Sequence, residues 1–218
     1  MTRSPSTDLF AYYQTAKTWI ERSDFSGEIR WQAELQQADF SESDFLREYA
    51  WVVLNSGFRE AVIRKYFDYI SLCYCDWSSA KEIFELGDVC SNAAARAFGN
   101  IRKLRAITHT AGVLDQIGFA NFKGSLIADF DSCQILPFIG PITATHLAKN
   151  LGFDVAKPDR HLARLATRFG YCSVHDMCLA ISERTGDRLS VADIVLWRFA
   201  ERSKAGPTSI AASDHCSN

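Results

Sequence analysis

The chain has 218 residues, of which 47% are hydrophobic and 12% aromatic, so it is long and apolar enough to build a substantial core. Its formal net charge of −2 excludes a surface that is basic throughout, and none of its apolar runs is long enough to span a bilayer. The sequence contains no GxGxxG or Walker motif and no internal repeat, which excludes the usual nucleotide-binding and solenoid classes.

Helical periodicity begins near the amino terminus. Thr7 or Asp8 can cap a first helix whose apolar residues recur every three or four positions. Residues 23–40 show no such period and are predicted to be irregular. Trp31 and Phe40 are expected to anchor this segment to the core.

A second helical region follows this segment. Ser41 or Ser43 can cap its first helix, which ends in the turn at residues 54–57. Helical patterns then continue over residues 58–70, 77–86, 88–98, 100–114 and 119–130.

Two prolines delimit the elements that come next. Pro141 suits the first position of a helix, and Gly152 is a natural stop for that helix. Pro158 disfavours helix just before it, so Asp159 stands at the head of the following helix. Two more helices are predicted at residues 173–185 and 190–201.

The predicted class is all-α, because no segment shows convincing strand alternation. Residues 1–202 are expected to form one helical domain. Residues 203–218 are rich in Ser, Ala and Gly and lack periodicity, so they are predicted to be a disordered tail.

Two short motifs carry the chemistry. Residues 136–144 read LPFIGPITA, which is a tight apolar turn at a helix start where backbone amides can point outward. Residues 158–161 read PDRH and contain the single acid Asp159 at a helix start. Such an aspartate is commonly an N-cap, and capping does not prevent a catalytic role.

These motifs and their spacing resemble the helix-hairpin-helix DNA glycosylases, which include endonuclease III and the alkyladenine and 8-oxoguanine glycosylases. The family hairpin typically reads L-P-G-hydrophobic-G-x-x-T-A, and the family aspartate lies in a V-D-x-H or P-D-x-H context. The resemblance implies two packed helical subdomains with a cleft between them and a hairpin at about residues 134–152. It also implies that Asp159 is the catalytic carboxylate of a DNA N-glycosylase.

Two positions depart from the family pattern. Phe138 replaces the first glycine of the hairpin, and Ile142 stands where members with lyase activity carry a Schiff-base lysine. Because isoleucine cannot form an imine, the resemblance implies a monofunctional enzyme that uses water. Two alternatives stay open: a DNA-binding protein without catalysis, and a glycosylase/lyase whose amine comes from Lys149 or Lys157.

The region beside the hairpin is locally basic, with five basic residues against two acidic ones between residues 140 and 170. Phosphate contacts are therefore expected there, although the bland interpretation is an ordinary solvated helix face. The predicted DNA contacts are Phe138, Gly140, Ile142, Thr143, Lys149, Arg160 and Arg164.

A base in duplex DNA must be flipped out before an enzyme can reach it. By resemblance, Phe58 is the wedge that fills the gap, with Asn55 and Ser56 near the base pocket. His146 lies one turn after Ile142 and can face the cleft. Phe58 is equally compatible with a core position, and His146 with a packing role.

No cofactor is predicted to be required. The family hairpin binds a monovalent cation through carbonyls, and the matching positions for a structural K⁺ or Na⁺ are Gln134, Leu136 and Ile139. The seven cysteines offer no group of four that could converge on an iron–sulfur cluster, so none is predicted.

The expected partner is double-stranded DNA that carries a modified base, with no membrane partner. We expect a monomer in the cytoplasm or nucleus, because an odd number of cysteines without a secretory signal indicates reduced thiols.

Overall fold

A computed structural model describes residues 5–37 and 39–202, and the predicted tail at 203–218 lies outside them. The described residues form twelve α-helices and two short 3-10 helices and contain no strand, which confirms the predicted all-α class. The helices are α1 Pro5–Glu21, α2 Ser26–Glu34, α3 Glu42–Asn55, α4 Glu60–Cys73, α5 Ala80–Leu86, α6 Asp88–Ala94, α7 Ile101–Ile117, α8 Phe119–Ala128, α9 Pro141–Asn150, α10 Arg160–Arg168, α11 Val174–Thr185 and α12 Leu189–Glu201. The 3-10 helices are Cys75–Trp77 and Phe130–Ile135.

Local capping explains where several helices begin. At α3, Ser41 Oγ accepts the Asp44 amide at 3.1 Å, and an Asp44 carboxylate oxygen accepts the Ser41 amide at 2.8 Å. This reciprocal box satisfies donors that the first helical turn leaves without partners, and it confirms the predicted start of α3. Asn100 and Ser173 cap α7 and α11 in the simpler one-bond form.

The larger hydrophobic cluster is formed by buried residues between positions 40 and 153, on helices α3 to α9 and the loops that join them. Its centre is α3, whose residues Phe45, Tyr49 and Val53 are fully buried. Aromatic rings are part of the same cluster: Tyr74 and Trp77 are buried in it and stacked at a centroid distance of 5.4 Å. Burying these side chains provides the main stabilisation of this half of the molecule.

The smaller cluster is formed by α1, α10, α11 and α12. Tyr13, Met177 and Val195 are buried in it, and Tyr12 packs its ring against Phe169 and Phe199 at 5.4 and 5.1 Å. The chain thus builds two packed helical units, with the amino-terminal helix α1 completing the carboxy-terminal one.

Buried ion pairs join the two units. Lys149 on α9 pairs with Asp193 on α12, and both side chains are almost completely buried. Arg198 on α12 binds Glu28 of α2 at 2.7 Å and Glu60 of α4 at 2.9 Å. The interface between the two units therefore contains charged side chains with fixed partners.

The prediction that residues 23–40 are irregular is wrong for their central part. Ser26–Glu34 forms α2, which packs against α12. Trp31 is 43% exposed and does not anchor the segment, whereas Phe40 is buried as expected. The anchor is instead Gln32, whose amide donates to the Lys149 carbonyl at 3.0 Å, and that contact is invisible in the sequence.

Candidate active site

The hairpin connects the second 3-10 helix to α9. Helix α9 begins at Pro141, as predicted, and it ends at Asn150 just before Gly152. Gly152 has a φ of +91°, and a Cβ there would stand 2.5 Å from the Gln36 carbonyl oxygen. Only glycine allows this close passage, so the stop of α9 is set by both conformation and space.

Phe138 adopts the left-handed conformation, with a φ of +62°. This is the position where the family motif has glycine, and a non-glycine residue is strained there. Two hydroxyl groups hold the turn: Tyr49 donates to the Pro137 carbonyl at 2.8 Å, and Thr143 Oγ1 lies 3.2 Å from the Phe138 carbonyl. The Phe138 side chain remains 40% exposed, so it is available to a partner.

The amide of Gly140, an expected DNA contact, already has a partner within the hairpin. The Gly140 N–H donates to Thr143 Oγ1 at 2.7 Å, so it is used inside the hairpin. The amides of Ile142 and Thr143 belong to the first turn of α9, where backbone donors have no acceptor within the helix. Those two amides are therefore the ones suited to a phosphate oxygen, and Ile142 is 49% exposed.

Asp159 stands at the N-terminus of α10, as predicted. Its Oδ1 accepts the amides of His161 at 2.8 Å and Leu162 at 2.9 Å. Its own amide donates to the Lys157 carbonyl at 2.8 Å, which closes a tight turn around Pro158. Both capping bonds fall on Oδ1, so the carboxylate is held in one orientation and Oδ2 takes no part in the cap.

The prediction that Lys149 contacts phosphate is wrong. Its ammonium group is buried against Asp193 Oδ1, and its side chain is 6% exposed. A buried charge needs such a partner, because desolvation without one is costly. The other Asp193 oxygen accepts the Lys157 amide at 2.6 Å, so this pair also fixes the loop that leads to Asp159.

Two basic side chains meet beside Asp159. Lys157 Nζ lies 3.3 Å from His146 Nδ1, and both residues are half-buried. Burial, and then the neighbouring Lys157 and Lys149, hold the pKa of His146 well below its ordinary value. Burial and Lys149 also lower the pKa of Lys157, against the opposing effect of Asp159, Asp193 and Glu60. The predicted site residue His146 thus contacts the amine of Lys157, for which the sequence suggests only the role of a displaced nucleophile.

Phe58 is 42% exposed, which decides against a core position for it. Its ring packs on Phe98 at 5.2 Å, and Lys103 Nζ lies 5.1 Å from the Phe58 centroid and 5.8 Å from that of Phe138. The two exposed rings from separate elements therefore share one cation beneath them.

Lys103 is a residue whose importance the sequence concealed, because it is one member of an ordinary basic helix. It is buried, and its ammonium donates to the carbonyls of Val53 and Ser56 at the end of α3. Burial lowers the pKa of this amine to about 8. Lys103 thus holds the turn that presents Phe58.

The other two residues predicted near the pocket lie in the same turn. Asn55 donates its side-chain amide to the Trp51 carbonyl at 2.9 Å, and its Oδ1 is buried with no hydrogen-bond partner among the described residues. Ser56 is half-buried, and its carbonyl accepts Lys103. A buried acceptor without a hydrogen-bond partner is unusual in proteins, so Asn55 stays a candidate for the base pocket.

Arg160 and Arg164 lie on the exposed face of α10. Arg160 Nε is 3.4 Å from His161 Nε2. With Lys149 removed from the set, these two guanidinium groups are the charged phosphate contacts that remain from the prediction.

The predicted monovalent cation site stays a prediction. Tyr49 and Thr143 contact the carbonyls of Pro137 and Phe138, and the Leu136 carbonyl accepts the Ile139 amide at 3.2 Å while retaining a second lone pair. The residues present are thus compatible with a cation at Gln134, Leu136 and Ile139.

Two wider features complete the description of this surface. A surface groove lined by Gln14, Thr18, Trp19 and Arg202 lies on α1 and the end of α12, and none of its lining residues belongs to the candidate site. No helix in the described part of the chain combines the length and hydropathy of a bilayer span.

Comparison with solved structures finds the crystal structure of a Methanocaldococcus jannaschii 8-oxoguanine glycosylase/lyase in complex with DNA containing 8-oxoguanine. The similarity covers 84% of this chain and 94% of that chain, with 17% sequence identity and a TM-score of 0.45. At this level neither the site nor the activity of that protein is transferred to this chain. No protein-family model matches, and no curated protein does.

Proposed function

We propose that this protein is a DNA glycosylase that removes a modified base from duplex DNA by hydrolysis, with Asp159 as its catalytic carboxylate. The observation that carries the proposal is the orientation of Asp159 by two α10 amides. Two residues earlier, the Lys157 amine contacts His146 on α9, whose first-turn amides can bind phosphate. The resemblance of the two sequence motifs to the helix-hairpin-helix glycosylases supports the same activity.

The chemistry follows from the groups at hand. The bond between C1′ and the base nitrogen breaks with its electron pair going to the base, which leaves positive charge on the sugar. A fixed carboxylate near C1′ stabilises that charge and can orient or deprotonate the attacking water. Water oxygen then bonds to C1′, and its proton passes to the base or to solvent. The product is an intact strand with an abasic site.

The first test replaces Asp159 by Asn, which keeps the size and the capping ability of the side chain but removes its charge. We expect base release from a modified duplex to fall by about two orders of magnitude or more while binding is retained. The measurement is alkali-induced cleavage of a labelled strand under single-turnover conditions. Asp176→Asn is the matched control, because Asp176 is an exposed acid in the first turn of α11.

Near-normal base release by Asp159→Asn would overturn the catalytic assignment. If the unaltered protein bound duplexes but released no base from a panel of alkylated, oxidised and deaminated substrates, the protein would be a DNA-binding module without catalysis.

The second test addresses the use of water. Ile142 offers no amine at the hairpin, and the Lys149 amine is buried in an ion pair, which supports a monofunctional enzyme. We expect the strand to break only after alkali or heat, and borohydride to trap no covalent protein–DNA adduct. A trapped adduct that disappears in Lys157→Met but persists in Lys149→Met would name Lys157 as a nucleophile and contradict the monofunctional proposal.

A further inference from the structure

We propose, on the basis of the proposed function, that His146 and Lys157 contact the extruded base and select bases that present hydrogen-bond acceptors over cationic alkylated purines. Deaminated or oxidised bases, neutral or anionic, are the class that such a pair of donors fits.

Lys157 is held next to Asp159 by the backbone. Lys157 lies two residues before Asp159, and their turn is closed by the 2.8 Å bond between the Asp159 amide and the Lys157 carbonyl. The Lys157 amide is fixed by Asp193, so the backbone from which the amine extends is held on both sides. The sugar and the attached base are joined by one bond, so the groups that contact them must come from neighbouring positions, and the closed turn makes Lys157 and Asp159 such neighbours.

The protonation of His146 and Lys157 decides which hydrogen bonds the pair can make. The lowered pKa of His146 makes the neutral imidazole the form present at neutral pH. A protonated Lys157 amine can only donate, so in its 3.3 Å contact with His146 the Nδ1 atom accepts and the imidazole proton resides on Nε2, which is then a donor. The amine has further N–H groups whether or not it is charged. The pair therefore offers donors to a ligand.

The charged groups around Lys157 disfavour a cationic base. Two carboxylates near Lys157 are paired with other cations: Asp193 with Lys149, and Glu60 with Arg198 and Arg64. The third, Asp159, accepts the amides of α10. The hydrogen bond that the Lys157 amine makes in the structure is to a neutral imidazole. A cationic base such as 7-methylguanine would meet the Lys157 amine without gaining a hydrogen bond from it, whereas a carbonyl oxygen or ring nitrogen would accept one.

The experiment measures binding and so does not depend on turnover. The Asp159→Asn variant is titrated with matched duplexes carrying xanthine, uracil, 7-methylguanine or an unmodified base. We expect the xanthine and uracil duplexes to bind about tenfold more tightly than the 7-methylguanine duplex, relative to the unmodified one. Adding Lys157→Met or His146→Phe should bring this ratio to within about twofold.

Two controls make the result specific. His146→Gln retains a side-chain donor and should keep most of the preference, and Lys81→Met changes an exposed lysine on α5 and should leave it unchanged. A ratio near one, a preference for 7-methylguanine, or a preference that survives both replacements would overturn the inference. Absence of base release by the unaltered protein would instead count against the proposed function, while selective binding would still support this inference.

Discussion

At the scale of single residues, the hairpin shows how a local rule can be broken when neighbouring groups hold the backbone. Phe138 occupies a left-handed conformation that glycine would adopt without strain. The Tyr49 hydroxyl contacts the Pro137 carbonyl, and the Thr143 hydroxyl contacts the carbonyl of Phe138 itself. These neighbouring groups hold the turn. A strained residue with an exposed aromatic ring is a candidate for a role outside the fold.

Comparing Phe138→Gly with Phe138→Ala separates the backbone from the ring. Glycine removes both the strain and the ring, whereas alanine removes only the ring. We expect Phe138→Gly to be more stable than Phe138→Ala by about 1 kcal/mol, measured by urea denaturation, because the left-handed conformation costs that much for an L-residue. Both variants should bind duplex DNA more weakly than the unaltered chain, and equal affinity in all three would show that the ring has no DNA contact.

At the scale of the element, α10 and its capping residue combine three functions. Asp159 caps it, Leu162 and Leu165 pack into the smaller hydrophobic cluster, and its exposed face carries arginines. This division follows from helical periodicity, since residues three or four apart share a face. The element therefore links the position of the carboxylate to the packing of the carboxy-terminal unit and leaves its basic face for phosphates.

Removal of these arginines should weaken DNA binding without regard to sequence. Arg160→Ala and Arg164→Ala are each expected to lower affinity for every duplex and to reduce the slope of log affinity against log salt by about one. The measurement is fluorescence anisotropy over a range of salt concentrations. Lys81→Ala is the control, because that lysine is exposed on α5 and lies outside the candidate site. An unchanged slope in both arginine variants would remove α10 from the interface.

At the scale of the whole molecule, two hydrophobic clusters are joined through charged side chains that have fixed partners. Arg198 is 8% exposed and binds Glu28 and Glu60, so it connects α12 with α2 and α4. Arg64 binds the same two carboxylates from the solvent side. The relative position of the two units depends on such contacts, and with it the distance between the hairpin in the larger unit and Asp159 at the start of α10 in the smaller one.

The two arginines give a matched pair of stability tests. Arg198→Met leaves two partly buried carboxylates without their inner partner and should lower the free energy of unfolding by about 3–5 kcal/mol. Arg64→Met removes a half-exposed partner of the same carboxylates and should cost about 1 kcal/mol or less. Urea denaturation at neutral pH measures both. Equal losses would mean that burial does not distinguish the two ion pairs.

The sequence by itself determined the features that depend on neighbours a few positions away. The all-α class, the start of α3 at Ser41, the start of α9 at Pro141 and the place of Asp159 before α10 were all predictable. Caps, prolines and apolar periodicity act within one or two helical turns, so the information is local. The failure at α2 has the same origin, because that helix has a weak apolar face and is stabilised by packing against α12.

Only the tertiary structure decided which ionisable side chains are buried and which partners they have. Lys149 and Lys157 are alike in the sequence, yet Lys149 is buried against Asp193, 44 residues away, while Lys157 meets His146 beside Asp159. Lys103 became a support for the Phe58 turn because the end of α3 brings its carbonyls to that amine. The burial and partners of an ionisable group are set by elements distant in the chain, and for this reason they could not be predicted from spacing alone.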